Sequence, residues 1–221
     1  MLLEKHSFED GIGGWALWEM QESEAELIHL CPIHTKPCPF RGEKRRLEYY
    51  SIRALLAEVL GPDKLIDYYP SGRPLLVDGS FQISISHTRG IVALAWHPVC
   101  RVGIDVEQKS DRVSKVISKF VSIKESLQIQ SFVGSDVSVP ALYHLFLWSA
   151  KETVYKLIDR TAVDFLSDIV IDIDSPLDKE GSYWSRSLFY DDENAEMSRL
   201  LDCSIHYCFY PSFVLTYSKA E

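Results

Sequence analysis

A strictly alternating run of residues is the feature that most constrains how this chain can fold. Between residues 81 and 87 the side chains alternate in polarity, with Phe81, Ile83 and Ile85 on one face and Gln82, Ser84 and Ser86 on the other. Because successive strand residues point to opposite faces, this period predicts a β-strand. The segment 88–90 predicts a hairpin turn into a second strand, residues 91–96, and His97-Pro98 turns the chain into a third adjacent strand, residues 101–107.

Two helices with strands after each extend this pattern. Apolar residues recur at helical spacing from Glu43 to Leu60, where Gly61-Pro62 ends the helix, and a second helix is predicted from about Leu142 to Ile158. The first thirty residues predict one or two strands, and three further strands are predicted at 169–173, 183–189 and 204–217. We therefore expect an α+β fold of two similar lobes, 1–103 and 104–221, related by a pseudo-twofold axis. Each lobe would be a helix packed on an antiparallel sheet.

Composition and net charge argue against several classes of function. The 221 residues carry a formal net charge of −9, which argues against nucleic-acid binding through a wholly basic surface. The N-terminus lacks the apolar core of a signal peptide and no stretch is apolar enough to cross a bilayer, so we expect a cytoplasmic protein. Five cysteines argue against a disulfide framework. Cys31, His34 and Cys38 resemble half of a zinc site, but no second pair follows nearby, which favours ordinary thiols.

Two carboxylates share one strand face in the segment 103–107. Asp105 and Glu107 are two residues apart and project to the same side, while Ile104 and Val106 project to the other. Like charges side by side repel one another unless a cation relieves them. Mg²⁺ commonly takes one or two protein carboxylates and completes its shell with water and phosphate oxygens. The pattern is compatible with a magnesium site, although an isolated pair of this kind is more often a solvated strand end.

A helical segment supplies a third carboxylate and a lysine. Trp148, Glu152 and Lys156 are spaced i, i+4, i+8 and so share one helical face. A Glu–Lys pair of this kind can be merely a surface pair, worth a few tenths of a kcal/mol. The tryptophan on the same face favours a built site instead.

Basic side chains are concentrated in the first half of this acidic chain. Arg41, Lys44, Arg45, Arg46 and Arg53 lie on or just before the first long helix, and Arg73 lies in a Gly-Arg-Pro turn. Arginine binds phosphate with its planar fork, so the group suits a phosphorylated ligand. A solvated helix face is the default interpretation for Lys44 and Arg45, whereas Arg53 lies near the apolar stripe. His87 can donate to phosphate or simply end its strand.

The order of these motifs resembles the 4′-phosphopantetheinyl transferase superfamily, in particular its monomeric, two-lobed type. The matching segments are 48–56, Gly72-Arg73-Pro74, 85–88, 102–107 and 148–156. The resemblance implies that the protein moves the 4′-phosphopantetheine group of coenzyme A onto a serine of an apo acyl or peptidyl carrier protein, with Mg²⁺ as cofactor. It also implies a monomer that needs neither nucleic acid nor membrane as a partner.

The same resemblance implies roles for individual residues. Asp105, Glu107 and Glu152 would bind Mg²⁺, and His87 and Lys156 would contact the phosphates, with Ser86 nearby. Arg46, Arg53 and Arg73 would bind the nucleotide end of coenzyme A. Glu152 would help to deprotonate the attacking serine, directly or through a water. The family's usual lysine is replaced by Arg73, and the segment after Phe120 matches its pattern only loosely.

A docking surface for an acidic carrier protein is predicted on the stretch that begins at Arg112. In an α-helix, Arg112, Lys115 and Lys119 would share a face, with Val113, Val116 and Phe120 offering apolar contacts. An ordinary solvated helix explains this stretch about equally well.

Two other functions compete with transfer. Asp78 together with Glu107 and Lys109 could mimic the acidic core of a metal-dependent nuclease, but this leaves Glu152 and Lys156 without a role. A non-catalytic relative that only binds coenzyme A or a carrier would keep the same fold.

Overall fold

The computed structural model describes residues 1–32, 34–110, 112–133, 139–158, 163–191 and 194–220. The chain divides into two compact units, Met1–Val106 and Glu107–Glu221. The sequence-based division lay three residues earlier, after residue 103.

A four-stranded antiparallel sheet forms the centre of the first unit. The strands of this half of the chain are β1 Leu2–Ser7, β2 Gly14–Glu19, β3 Ile66–Tyr68, β4 Pro74–Leu76, β5 Gln82–Thr88, β6 Ile91–His97 and β7 Arg101–Gln108. The sheet has the order β1-β2-β6-β5, while β3 and β4 pair as a separate hairpin. The turn between β5 and β6 is the predicted one, and its Gly90 has a φ of 80°, a backbone conformation that glycine adopts at little cost.

The third strand does not lie where the sequence placed it. Strand β6 pairs with β5 on one side and with β2 on the other, so neither edge of β6 is open to β7. The prediction of β7 as a third adjacent strand of this hairpin is therefore wrong. Sequence order favoured a meander, whereas the first hairpin of the chain occupies the second edge of β6.

The first unit contains two helices, one packed on the sheet and one packed on that helix. Helix α2 spans Glu43–Leu60, as predicted, and packs on β2 and β6 through a buried face that includes Ile52, Leu55 and Leu56. Burying one such side chain contributes about 1.5–3 kcal/mol. Helix α1, Glu24–Leu30, was missed. Its signal was present in the sequence, because Ser23 and Glu26 form a capping box in which each side chain bonds the other's backbone N–H.

In the second unit, a 3₁₀ helix and two α-helices come before four strands. A 3₁₀ helix at Val113–Lys119 and helices α3 Ile123–Val133 and α4 Val139–Ile158 come before strands β8 Ile169–Asp172, β9 Glu180–Asp191, β10 Asn194–Phe209 and β11 Phe213–Ala220. The sheet contains β11, β10, β9 and β8 in that order, all antiparallel. The predicted run 204–217 is thus two strands joined by a turn.

Helix α4 is the central element of the second unit. It packs on β8, β10 and β11, and its contact with β11 includes hydroxyl bonds from Ser149 and Thr153 to Thr216 of 2.9 and 2.7 Å. The predicted helix began near residue 142 and in fact begins at Val139. The Ser, Gly and Pro residues of 131–140 predict a loop, but residues 131–133 belong to α3 and 139–140 to α4, while 134–138 lie outside the described residues. The predicted α+β class, with a helix packed on an antiparallel sheet in each unit, is confirmed.

Candidate active site

A serine hydroxyl orders the carboxylate of Asp105. Asp105 lies on β7 and is only 7% exposed, and the Ser86 hydroxyl of β5 donates to its Oδ1 at 2.8 Å. The same hydroxyl accepts the backbone N–H of Val106 at 3.2 Å. Two residues earlier, the Ser84 hydroxyl accepts the N–H of Ile104 at 3.1 Å. The polar face of β5 therefore bonds the backbone of β7, and only Ser86 also holds a carboxylate.

The second strand carboxylate is less enclosed. Glu107 is half-buried, and its Oε1 accepts the backbone N–H of Gln108 at 3.2 Å. Ile104 and Val106 are buried, in agreement with the predicted alternation along β7, although Asp105 is also buried. The strand end thus offers one fixed and one more accessible carboxylate.

From Tyr143 to Ile158, helix α4 presents one partly exposed stripe on a largely buried surface. The half-buried positions Trp148, Glu152 and Lys156 recur every four residues, while the positions between them are buried except for Tyr155. Trp148 packs edge-on against Phe120, with ring centroids 5.2 Å apart. The three predicted residues therefore share one face, and Trp148 anchors that face to the core. His144, one turn earlier, extends the stripe and was not singled out from the sequence.

Lys151 lies next to Glu152 in this helix but is fully buried, which motif spacing did not indicate. Its ammonium bonds the carbonyl oxygens of Phe120 and Phe165 at 2.6 and 2.8 Å and the Glu125 carboxylate at 2.9 Å. Glu125 in turn accepts the backbone N–H groups of Ser122 and Ile171. Burial lowers the pKa of Lys151, and the Glu125 carboxylate opposes that shift. A fully buried lysine beside Glu152 fixes this turn of α4.

His87 lies in a group of charged side chains at the end of β5. Its Nε2 is 3.1 Å from the Glu48 carboxylate and 3.1 Å from Arg45 Nη1. Lys44 and Arg45 also contact Glu48, at 3.7 and 3.4 Å. Both cations are exposed, as expected for a solvated helix face, yet both are tied to a buried carboxylate. The first turns of α2 and the end of β5 therefore contribute to one group of charged side chains around Glu48.

Arg53 has an ordered, buried place on α2. Its side chain is 6% exposed, its guanidinium lies 3.4 Å from the ring centroid of Tyr49, and its Nη1 donates to the Tyr49 carbonyl at 2.9 Å. Among the described residues, no carboxylate forms a salt bridge with it. A buried guanidinium of this kind suits an anionic ligand.

The other two predicted nucleotide-binding arginines contact neighbouring protein groups. Arg46 forms a 2.8 Å salt bridge to Glu24 of α1, which raises the pKa of Arg46. Arg73 follows Gly72 in the β3–β4 turn and donates to Gln82 at 2.6 Å, with its guanidinium 5.8 Å from the Tyr69 ring centroid. Arg46 thus has a structural explanation, while Arg73 is held in a turn beside the Tyr69 ring.

The donor chemistry of the predicted metal ligands fits Mg²⁺. Asp105, Glu107 and Glu152 offer hard carboxylate oxygens, and Mg²⁺ needs only one or two of them when a substrate supplies phosphate oxygens. Across the ranges that the structure describes, no three His, Cys, Asp or Glu side chains gather into a metal-binding group. Binding of Mg²⁺ by Asp105, Glu107 and Glu152 therefore stays a prediction. It requires that a bound phosphate supply further oxygen ligands to the metal.

The zinc alternative gains no support from the thiols. Burial raises the pKa of Cys31 to about 11, which disfavours the thiolate that binds zinc, and His34 is exposed. None of the five cysteines, all within described ranges, forms a disulfide.

The nuclease alternative depends on Asp78, which has a structural role. Its carboxylate is 2.6 Å from the Lys64 ammonium and accepts two hydrogen bonds from Ser80. The Lys64 hydrogen bond is the largest factor that lowers the pKa of Asp78, to about 2. These contacts close the turn between β4 and β5.

The predicted docking stretch differs from the expected α-helix. It is a 3₁₀ helix, in which Arg112 and Lys115 are exposed one turn apart but Lys119 falls about a third of a turn away. Val113 and Phe120 are buried in the core and cannot offer the expected apolar contacts, and Val116 packs partly against that core. The neighbouring exposed apolar side chains are instead Ile123 and Leu127 of α3, 82% and 61% exposed.

Comparison with known proteins gives one family match. The model of the 4′-phosphopantetheinyl transferase superfamily matches residues 101–199, a little under half of the chain, and this segment contains Asp105, Glu107, Glu152 and Lys156. No curated protein matches the chain. No described helix combines the length and apolar character needed to cross a membrane. The chain carries a 4′-phosphopantetheinyl transferase superfamily domain at residues 101–199.

Proposed function

We propose that the protein transfers the 4′-phosphopantetheine group of coenzyme A to a serine of an apo acyl or peptidyl carrier protein. The observation that carries this proposal is the place of Asp105: a buried carboxylate, ordered by Ser86, at the start of the matched family segment. Orienting a carboxylate in this way is useful where a metal–phosphate complex must be bound in one geometry.

The reaction is a phosphoryl transfer. The serine hydroxyl of the carrier attacks the β-phosphorus of coenzyme A, the bond to the bridging oxygen breaks, and the 3′,5′-nucleotide leaves with the electron pair. Asp105, Glu107 and Glu152 would bind Mg²⁺, which neutralises charge on the phosphate oxygens. His87 and Lys156 would donate to the same oxygens, and Glu152 would accept the serine proton, directly or through a water.

Arginines on α2 and in the β3–β4 turn would bind the nucleotide end. Arg53 is the strongest candidate, because its buried guanidinium forms no salt bridge within the described residues. Arg73 is the second. Arg46 is a weaker candidate for binding the nucleotide, because it already forms a salt bridge with Glu24.

The carrier protein would dock on the exposed cations Arg112, Lys115 and Lys119. Ile123 and Leu127 replace Val113 and Phe120 as the apolar part of that surface. An acidic carrier suits the local positive charge although the whole chain is acidic. We further propose that the protein acts in the cytoplasm as a monomer.

The test is direct. Purified protein, coenzyme A and Mg²⁺ are incubated with a panel of apo carrier proteins, and intact mass reports the added phosphopantetheine. Loss of the product with Asp105→Ala and Glu152→Ala would support the assignments. Coenzyme A binding without product across the panel would favour the non-catalytic alternative, and cleavage of DNA instead would favour the nuclease.

A further inference from the structure

Glu48 occupies an unusual position for an acidic residue in a proposed phosphate site. It is 7% exposed, and three basic side chains surround its carboxylate: Lys44, Arg45 and His87 at 3.7, 3.4 and 3.1 Å. These three are 73%, 62% and 41% exposed. The acid is therefore enclosed, while the bases around it reach solvent.

His87 Nε2 lies between two possible hydrogen-bond partners, Glu48 and Arg45. Its Nε2 is 3.1 Å from an acceptor, Glu48 Oε2, and 3.1 Å from a donor, Arg45 Nη1. One ring nitrogen either donates or accepts, so it satisfies only one of them. When it donates to Glu48, Arg45 Nη1 keeps its own contact to Glu48 Oε2 at 3.4 Å, and the rest of the Arg45 side chain is largely exposed to solvent. An anionic oxygen that replaces water there would accept from Arg45.

The charges favour the same conclusion. Glu48 supplies one negative charge, whereas Lys44 and Arg45 supply two positive charges before His87 is counted. A carboxylate shared by several cations holds them close together despite their mutual repulsion. The group thus keeps a net positive charge that an anion can neutralise.

We propose that Lys44, Arg45 and His87 form one phosphate-binding cluster and that Glu48 is its positioning residue. The ligand class is a phosphate or diphosphate ester, and the inference rests on the proposed function in taking the diphosphate of coenzyme A as that ligand. Arg53 lies eight residues beyond Arg45, about 12 Å along the helix. Two different turns of α2 can therefore contact two separate phosphates of the same molecule.

Glu48→Gln tests the positioning role, because it keeps the side-chain shape and removes the charge. Glu58→Gln is the matched control: the same change on the same helix, at an exposed position. Calorimetry on the full chain would measure the Kd of coenzyme A and of inorganic pyrophosphate. We expect Glu48→Gln to weaken coenzyme A binding about tenfold and Glu58→Gln to leave it unchanged.

A double-mutant cycle separates positioning from a general structural effect. If Glu48 acts through His87, adding Glu48→Gln to His87→Gln should weaken binding much less than it does in the wild type. Nitrogen NMR shifts of His87 should also show a changed tautomer in Glu48→Gln. Equal loss in both backgrounds together with an unchanged tautomer would overturn the positioning role.

The outcomes distinguish this inference from the proposed function. If carrier modification occurs but Glu48→Gln binds coenzyme A like Glu58→Gln, only the inference fails. If the protein binds pyrophosphate in a Glu48-dependent way but neither binds coenzyme A nor modifies carriers, the cluster stands and the function fails. Binding of neither ligand would reject the cluster.

Discussion

The Lys151 ammonium and the Glu125 carboxylate are 2.9 Å apart, and neither side chain has any exposed surface. Every acceptor around Lys151 comes from a different segment: the end of the 3₁₀ helix, the start of α3 and the loop before β8. The pair therefore joins four parts of the second unit at the turn of α4 that carries Glu152.

Lys151→Met should destabilise the protein strongly. It leaves the Glu125 charge buried without a cation, and breaking a buried pair in this way costs about 3–5 kcal/mol. Urea unfolding followed by circular dichroism measures the change. Lys156→Met is the matched control on the same helix, because Lys156 is half-buried. It should spare stability and abolish most transfer activity, and the opposite pattern would contradict both assignments.

Ser86→Ala should impair the use of Mg²⁺. It removes the hydroxyl that donates to Asp105 and also leaves the Val106 N–H without that acceptor, at a cost of about 1–3 kcal/mol. Ser84→Ala removes only the equivalent bond to Ile104. Ser84→Ala should lose less stability than Ser86→Ala, and only Ser86→Ala should raise the Mg²⁺ concentration for half-maximal transfer. Equal Mg²⁺ requirements would show that Ser86 has no influence on the metal.

Reversal of Arg112, Lys115 and Lys119 to glutamate should raise the KM for apo carrier protein while the Kd for coenzyme A stays constant. These cations are exposed, so folding should tolerate the change. A triple reversal of the exposed Lys5, Lys36 and Lys179 changes net charge equally and serves as the control. If both triple variants raise KM to the same extent, net charge rather than this surface explains the effect.

Asp78→Asn should reduce stability fully above about pH 4 and progressively less as pH falls towards 2. The pKa of Asp78 in the folded protein, about 2, lies below its ordinary value, so its stabilisation is present above about pH 4 and is lost as pH falls towards 2. The pair is partly exposed and screened, which limits the loss to about 1 kcal/mol. Thermal melts of both proteins at pH 7 and pH 2.5 give the comparison. Transfer activity should not change.

Local patterns predicted the local structure well. The bounds of α2 and the turn between β5 and β6 follow from residue spacing and turn chemistry, which act over a few neighbouring residues. The partners of β6 could not be read in this way, because β2 is more than seventy positions away in the chain and competes for the same edge. Not every local signal was used: the capping box at Ser23 involves only neighbouring residues, yet helix α1 was not predicted from it.

The sequence predicted which residues form the candidate site, but it did not predict the contacts that hold them in place. Motif spacing placed Trp148, Glu152 and Lys156 on one face of α4, and the exposure along the helix agrees. Nothing in the sequence shows that Lys151 would be buried, because its three acceptors lie in other elements. Likewise, Glu48 reads as one of several surface charges until β5 brings His87 beside it.

The serine hydroxyls of β5 also have a consequence for amide exchange with solvent deuterium. Ser84 and Ser86 accept the N–H groups of Ile104 and Val106, two alternate amides of β7. A hydroxyl is freer to rotate than a backbone carbonyl in a paired strand, so protection of these two amides depends on side-chain rotamers. A ligand that fixes the Asp105 carboxylate should therefore slow amide exchange at Val106 more than at Ile104. The difference between the two exchange rates would then report ligand binding.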